Sequence, residues 1–287
     1  MVNLDIEILL QYRLLDATCD FVFNIHPAKT NAQCVVEESL RINDRVRSDL
    51  KTDLVAGNRW LRLRAEAGPL SVQYNGTVTI DHLMTAPEQL LQVPVNELPS
   101  DVFVYLYPSR YCQSDRLQKF ALEEFAAIPA GYARVNAIAE WVRNRITFRP
   151  QTSNATTSAV DTLIERVGVC RDFTHVMIAL CRALSIPARF TTGIDYGAAA
   201  SLGPPDFHAY VEVFLSGRWY IVDASGLATP MGLVRMGTGR DAADVAFATI
   251  FGAVESSIPQ IKISAASDPA KNILAPAHTS NILSTDF

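Results

Sequence analysis

The sequence predicts an α+β fold: a small antiparallel β-sandwich over residues 1–105, then a core of helices and antiparallel strands over residues 106–287. Three observations carry this reading. Up to about residue 105, apolar and polar side chains alternate and turn residues break the runs. Between Leu117 and Leu184, apolar residues recur at three- and four-residue steps, the period of helices. Finally, DFHAYVEVFL and RWYIVDAS flank Ser216-Gly217, the signature of a tight hairpin.

The first third contains CDFVFNI, RWLRLRAE and LSVQYNGTVTIDHL, each alternating in the manner of a half-buried strand. Asn75-Gly76 marks a hairpin, since both residue types tolerate the positive φ of a type I′ turn. Pro27, Gly57-Asn58 and Gly68-Pro69 punctuate the other strands. Several short strands at this spacing make a sandwich. The pattern changes near LYPSRYCQSD, residues 106–115.

A helix follows, with Leu117, Phe120, Ala121 and Phe125 on one face. After Pro129 a second helix carries Val135, Ile138, Val142 and Ile146. RPQTSNATTS is a loop, and Ser158 with Asp161 forms a variant capping box for a short helix through Glu165. Gly168 ends it. The next helix begins at about Cys170, with Phe173, Val176, Met177, Leu180, Cys181 and Leu184 on a wide apolar stripe, and Ile186-Pro187 stops it. ARFTTGIDYG reads as a strand and AAASLGPPD, residues 198–206, as a loop before the hairpin. DAADVAFATIFG fits helix or strand, and PQIKISAA reads as a closing strand.

Composition limits the functions open to the chain. Of 287 residues, 49% are hydrophobic and 19% charged, enough for a substantial core and too little charge for disorder. The net charge of -5 disfavours a nucleic-acid partner, and Arg41, Arg45 and Arg47 have acidic neighbours that mark a solvated face. The opening MVNLDIEILLQYRLLD carries acidic residues inside its apolar stretch and does not read as a signal peptide. No apolar run approaches the ~20 residues of a membrane span, so the expectation is a cytoplasmic protein with no membrane partner. Cys19, Cys34, Cys112, Cys170 and Cys181 are odd in number and scattered, against a disulfide framework, and no C-x-x-C spacing marks structural zinc. No cofactor is called for, and no oligomeric state is specified.

Cys170 is the candidate nucleophile. At a helix N-terminus, unpaired amides and the helix dipole favour a thiolate and can face a developing oxyanion. Cys181 lies 11 residues on (181 − 170), roughly 16 Å along the helix, in the apolar stripe of the core. His175 stands about 140° around the helix from Cys170 and is read as structural. His208 fits the role of base: alternation sends His208, Tyr210 and Glu212 to one face of the first hairpin strand. If Ser216-Gly217 is a two-residue loop, Leu215 pairs with Arg218, Tyr210 opposes Asp223, and His208 is Asp223's diagonal neighbour. A register one pair away sets His208 directly opposite Asp223. In both, a nucleophile, a base and an orienting carboxylate can meet. As a metal site the set is under-coordinated unless Tyr210 or another cysteine joins it.

GVCRDFTHVMIALCRALSIPARFTTG resembles the nucleophile segment of transglutaminase-like proteins, a branch of the papain-like cysteine enzymes, and DFHAYVEVFLSGRWYIVDAS resembles their His and Asp strands. GRDAADVA, residues 239–246, resembles a segment that follows the core in the bacterial branch, and the β-rich first third is similar to its preceding sandwich domain. The resemblance implies a papain-like core in which the nucleophile helix packs on an antiparallel sheet. It assigns Cys170 as nucleophile, His208 as base and Asp223 as orienting carboxylate; Arg171 and Asp172 fall in the motif too, where helix-start and ion-pair roles are expected of them. It implies a protein or peptide substrate and a thioester intermediate, resolved by water in a protease or amidase and by an amine in a transglutaminase. With no calcium machinery in the sequence, hydrolysis is favoured. A non-catalytic scaffold that keeps the fold is the remaining alternative. The tryptophan that helps stabilise the oxyanion in the family's animal enzymes is not matched to Trp60, Trp141 or Trp219.

Overall fold

The computed structural model describes residues 1–43, 46–197, 206–268, 270 and 272–286. The chain opens on β1 (Val2–Phe23), β2 (Gln33–Ile42), β3 (Arg47–Thr52), β4 (Arg59–Ile80) and the short β5 (Leu83–Thr85). Helices α1 (Ser114–Phe125) and α2 (Tyr132–Arg145) follow, then β6 (Thr147–Phe148), α3 (Ala159–Glu165), β7 (Val167–Gly168) and α4 (Cys170–Ala183). The last stretch holds β8 (Ala188–Asp195), β9 (Phe207–Leu215), β10 (Arg218–Val222), β11 (Leu233–Gly239), α5 (Ala242–Val245), β12 (Ala248–Phe251), β13 (Val254–Ser256), β14 (Gln260–Ala266) and β15 (Ile282–Ser284).

The N-terminal sheet is built on two very long strands rather than several short ones. β1 and β4 pair antiparallel from Val2 opposite Ile80 to Phe23 opposite Leu61. Every second residue of β1 from Val2 to Leu14 is buried, and a bulge between Leu14 and Thr18 resets the parity so that Cys19, Phe21 and Phe23 are buried next. The Tyr12 and Phe21 rings stand 5.4 Å apart, although a straight strand would separate them by about 30 Å. β1 therefore doubles back at the bulge. β4 does so opposite it at Gly68, whose φ of +124° suits glycine. One sheet folded over itself supplies both layers of the sandwich.

Asn75-Gly76 is not a hairpin. Both residues lie inside β4, opposite Glu7 and Ile6. The alternation through Val72, Tyr74 and Val78 continues unbroken across the pair, and a paired strand leaves no room for a reversal. Gly76 serves packing instead: a Cβ there would stand 2.5 Å from the Tyr74 hydroxyl. β2 and β3 pair with the outer edge of β4, while β12, β13 and β14 pair with the outer edge of β1. Strands from residues 248–266 thus complete the N-terminal sheet. The stretch that fits helix or strand is both, α5 followed by β12.

In the core, β10-β9-β8-β11 form an antiparallel sheet. Ala209, Val211, Val213 and Leu215 of β9 pack with Phe173, Val176, Met177 and Leu180 of α4. On the other side, Ile194, Tyr210, Ile221 and Val234 share a core with the N-terminal sheet. The central sheet is therefore a middle layer between helices and strands. α1, α2 and α3 form where the apolar spacing and the Ser158–Asp161 box place them, with the Ser158 amide donating to Asp161 Oδ2 at 2.9 Å. The 198–206 loop lies outside the described residues except for Asp206. Among the described residues no helix is long and apolar enough to cross a membrane.

Candidate active site

Cys170 is the first residue of α4 and is half-buried. The helix starts there because Asp172 reaches back: its Oδ2 accepts the Val169 amide at 2.8 Å, the acidic half of a capping box. Arg171 pairs with Asp172 Oδ1 at 2.9 Å and donates to the Asn154 carbonyl at 2.8 Å. Helix-start and ion-pair roles for these two residues match their expected ones. Gly168 leaves the space, since a Cβ there would lie 2.7 Å from Asp172 Cβ. Gly168→Ala is accordingly expected to destabilise the fold by about 1–3 kcal/mol, read as a lowered urea midpoint. An unchanged midpoint would remove Asp172 as the anchor of this helix start.

The hairpin takes the tight register. Ser216 and Gly217 have φ of +46° and +82°, and Leu215 pairs with Arg218 through to Val211 with Val222. One step further, Asp223 stands opposite Tyr210 and diagonal to His208. His208 Nε2 lies 3.3 Å from Asp223 Oδ1, with both side chains buried. The contact is a charge pair, because Nε2 is not aligned for a hydrogen bond to the carboxylate. The carboxylate is held from elsewhere: Oδ1 accepts the Ser225 amide at 3.0 Å and hydroxyl at 2.7 Å, and Oδ2 accepts the Ala228 amide at 2.9 Å. Arg143 donates to the Asp223 carbonyl at 3.2 Å.

Burial by itself would push the His208 pKa down, but the Asp223 charge and contact with the Cys170 thiol hold it well above its ordinary 6.5. Burial would raise Asp223, and it is outweighed by His208, the Ala228 amide and Ser225, which bring the carboxyl down to about 2. The imidazole thus interacts with both the thiol and the carboxylate. Thr174, one turn after Cys170, donates its hydroxyl to the Ala209 carbonyl at 3.0 Å and ties α4 to β9 next to His208.

His175 is fully buried and stacked on Tyr111 with centroids 5.0 Å apart; burial takes its pKa down to about 3. Its Nε2 accepts the Ala242 amide at 3.2 Å. Cys181 is buried in the helical core, its pKa pushed up by burial to about 12. Trp141 packs on Phe120 and Phe125, and Trp219 on Tyr105 and Phe214, while Trp60 sits in β4 across from Lys51.

Sequence reasoning passed over Ser225, Thr174 and Asp195. Asp-x-Ser at 223–225 carries an Asx-turn signal, and Thr174 is one helical turn from Cys170. Asp195, at the end of β8, is 7% exposed and its Oδ2 has no hydrogen-bond partner. Only the pairing of β8 with β9 reveals that it neighbours His208.

Comparison with known proteins adds the relationship. Residues 119–224 match the transglutaminase-like superfamily, and residues 3–101 match the bacterial transglutaminase N-terminal domain. The crystal structure of a candidate cysteine protease from Cytophaga hutchinsonii is similar with a TM-score of 0.90 and 38% identity, covering 99% of this chain and 97% of that one. An uncharacterized Mycobacterium leprae protein is 28% identical over 116 residues, which span 39% of this chain and 42% of that curated relative's length. This chain belongs to the transglutaminase-like superfamily, with a core of that type joined to a bacterial transglutaminase N-terminal domain.

Proposed function

We propose that this chain is a cysteine enzyme acting on amide or peptide bonds, with Cys170 as nucleophile, His208 as base and Asp223 as orienting carboxylate. One observation supports the reading: a buried imidazole beside a fully hydrogen-bonded carboxylate also interacts with the thiol at a helix N-terminus. With Nε2 turned to Asp223, Nδ1 is the nitrogen left for the thiol.

In this reading His208 takes the thiol proton and the sulfur adds to the substrate carbonyl. The first hydrogen bonds of α4 run from Asp172 and Phe173 to the Val169 carbonyl, so the amides of Cys170 and Arg171 precede the helical ladder. They are placed to receive the oxyanion. Collapse expels the amine, which takes the proton from His208, and leaves a thioester on Cys170. Water, deprotonated by His208, then releases the acid. Hydrolysis is favoured over amine transfer, supported by the likeness along nearly the whole chain to a candidate cysteine protease. A transglutaminase would differ only in the last step, with a primary amine in place of water.

Alkylation with iodoacetamide at pH 6, followed by intact mass, tests the activated thiol. An ordinary cysteine is roughly 0.3% ionised there, so Cys170 should react up to about 100-fold faster in the native protein than in His208→Ala. Equal, slow labelling of every accessible cysteine in both proteins would sink the reading and favour a non-catalytic scaffold.

A further inference from the structure

β8 and β9 pair with Gly193 opposite His208 and Ile194 opposite Phe207. One step further along the same register, Asp195 faces Asp206, and Asp195 is the diagonal neighbour of His208 on the same face of the sheet. His208 is therefore flanked by carboxylates on both sides, Asp223 towards β10 and Asp195 on β8. The two are satisfied very differently. Asp223 accepts three hydrogen bonds besides its contact with His208, whereas Asp195 Oδ2 is buried with no hydrogen-bond partner. A buried carboxylate oxygen without a donor is costly and calls for an explanation.

Among the described residues no lysine or arginine pairs with Asp195 or Asp206. Burial raises the pKa of Asp195; His208 draws it back, while Asp223 and Asp206 push it further up, and Asp206 is itself exposed. Asp195 is 7% exposed and His208 6%, and Oδ2 is itself buried, so a cationic group reaches this oxygen only by entering beside the imidazole.

We propose that Asp195, with Asp206 beside it, is a subsite for an organic cation of the substrate, an ammonium or guanidinium group close to the bond attacked by Cys170. The proposal rests on the catalytic reading above and adds a specificity to it. The group is held in its charged form by a charge-assisted hydrogen bond to Asp195 Oδ2, unlike a neutral amine that would attack a thioester. Two carboxylates suit an organic cation: among the described residues no three His, Cys, Asp or Glu side chains are placed to hold a metal ion together.

The test uses two thiol reagents of similar size on the full chain, cationic 2-aminoethyl methanethiosulfonate and neutral methyl methanethiosulfonate. Each forms a mixed disulfide with the cysteine and expels methanesulfinate. Rates at Cys170 are read by peptide mass, and the cationic-to-neutral ratio is divided by the ratio at the exposed Cys34 of the same molecules. The expected ratio at Cys170 is about tenfold or more above that at Cys34. It should fall to the Cys34 value in Asp195→Asn and fall partway in Asp206→Asn. The second variant carries the test if the first does not fold. A Cys170 ratio equal to that of Cys34, or one that survives both substitutions, would overturn the subsite while leaving the nucleophile intact. If neither reagent labels Cys170 faster than Cys34, the catalytic reading fails, and the subsite fails with it.

Discussion

Asp223→Asn is expected to lower turnover of an amide substrate by about 10²- to 10⁴-fold, the range over which an orienting carboxylate acts in such triads. The side chain is isosteric, and the asparagine oxygen can still accept from Ser225 while the bond from the Ala228 amide is given up, so the fold should persist with a lower urea midpoint. What goes is the charge that offsets the burial of the imidazolium. The His208 pKa should drop, and the alkaline limb of the pH–rate profile should move to lower pH.

The same pair has a signature in stability. His208 is raised above its unfolded value of 6.5, so its contribution is full below that pH and is lost as pH rises through the folded pKa. Asp223 is lowered from 3.8 to about 2, so its contribution is full above 3.8 and is lost as pH falls through about 2. The wild-type urea midpoint should therefore fall more between pH 5 and pH 9 than that of Asp223→Asn. Parallel pH dependence in the two proteins, together with unchanged turnover, would show that the carboxylate does not act on His208.

Glu212→Gln is expected to cost about 3–5 kcal/mol of stability, the cost of removing one partner from a buried ion pair. Glu212 is 1% exposed, and its Oε2 accepts from Arg189 Nε at 2.7 Å and lies 3.7 Å from Arg235 Nη1. Arg235 also reaches Asp286 at 3.1 Å, and the Arg189 guanidinium lies 4.2 Å over the Trp219 ring. Burial would lower the Arg189 pKa, but Glu212 and Asp286 raise it. Without the Glu212 charge, two buried guanidinium groups share the half-exposed Asp286 carboxylate. Asp286→Asn should cost less, because water reaches its side chain. Urea denaturation of both variants checks the order, and a Glu212→Gln midpoint at or above that of Asp286→Asn would contradict it.

The candidate site was largely legible because its parts lie in local patterns with a fixed period. A helix start at Cys170 follows from Gly168 and an apolar stripe, and the relation of His208 to Asp223 follows from a two-residue turn that sets the pairing of a short hairpin. What surrounds them was not legible. Asp195 joins His208 only through the pairing of β8 with β9, and nothing within ARFTTGIDYG states which strand it will pair with or in what register. The Asn75-Gly76 signal misled for a related reason: a glycine pair reports a backbone that can turn, while the partner strand decides whether it does.

Local sequence patterns specify the α+β class, the α1 to α4 helices, and the tight hairpin that sets His208 beside Asp223, because each depends on residues close in the chain. Long-range packing alone sets the doubling back of β1 and β4, the closing of the N-terminal sheet by strands from residues 248–266, and the unpartnered carboxylate beside His208. Those features arise from pairing between distant segments. Such pairing is selected by the area it buries and the hydrogen bonds it completes, and neither quantity is written in any one stretch of residues.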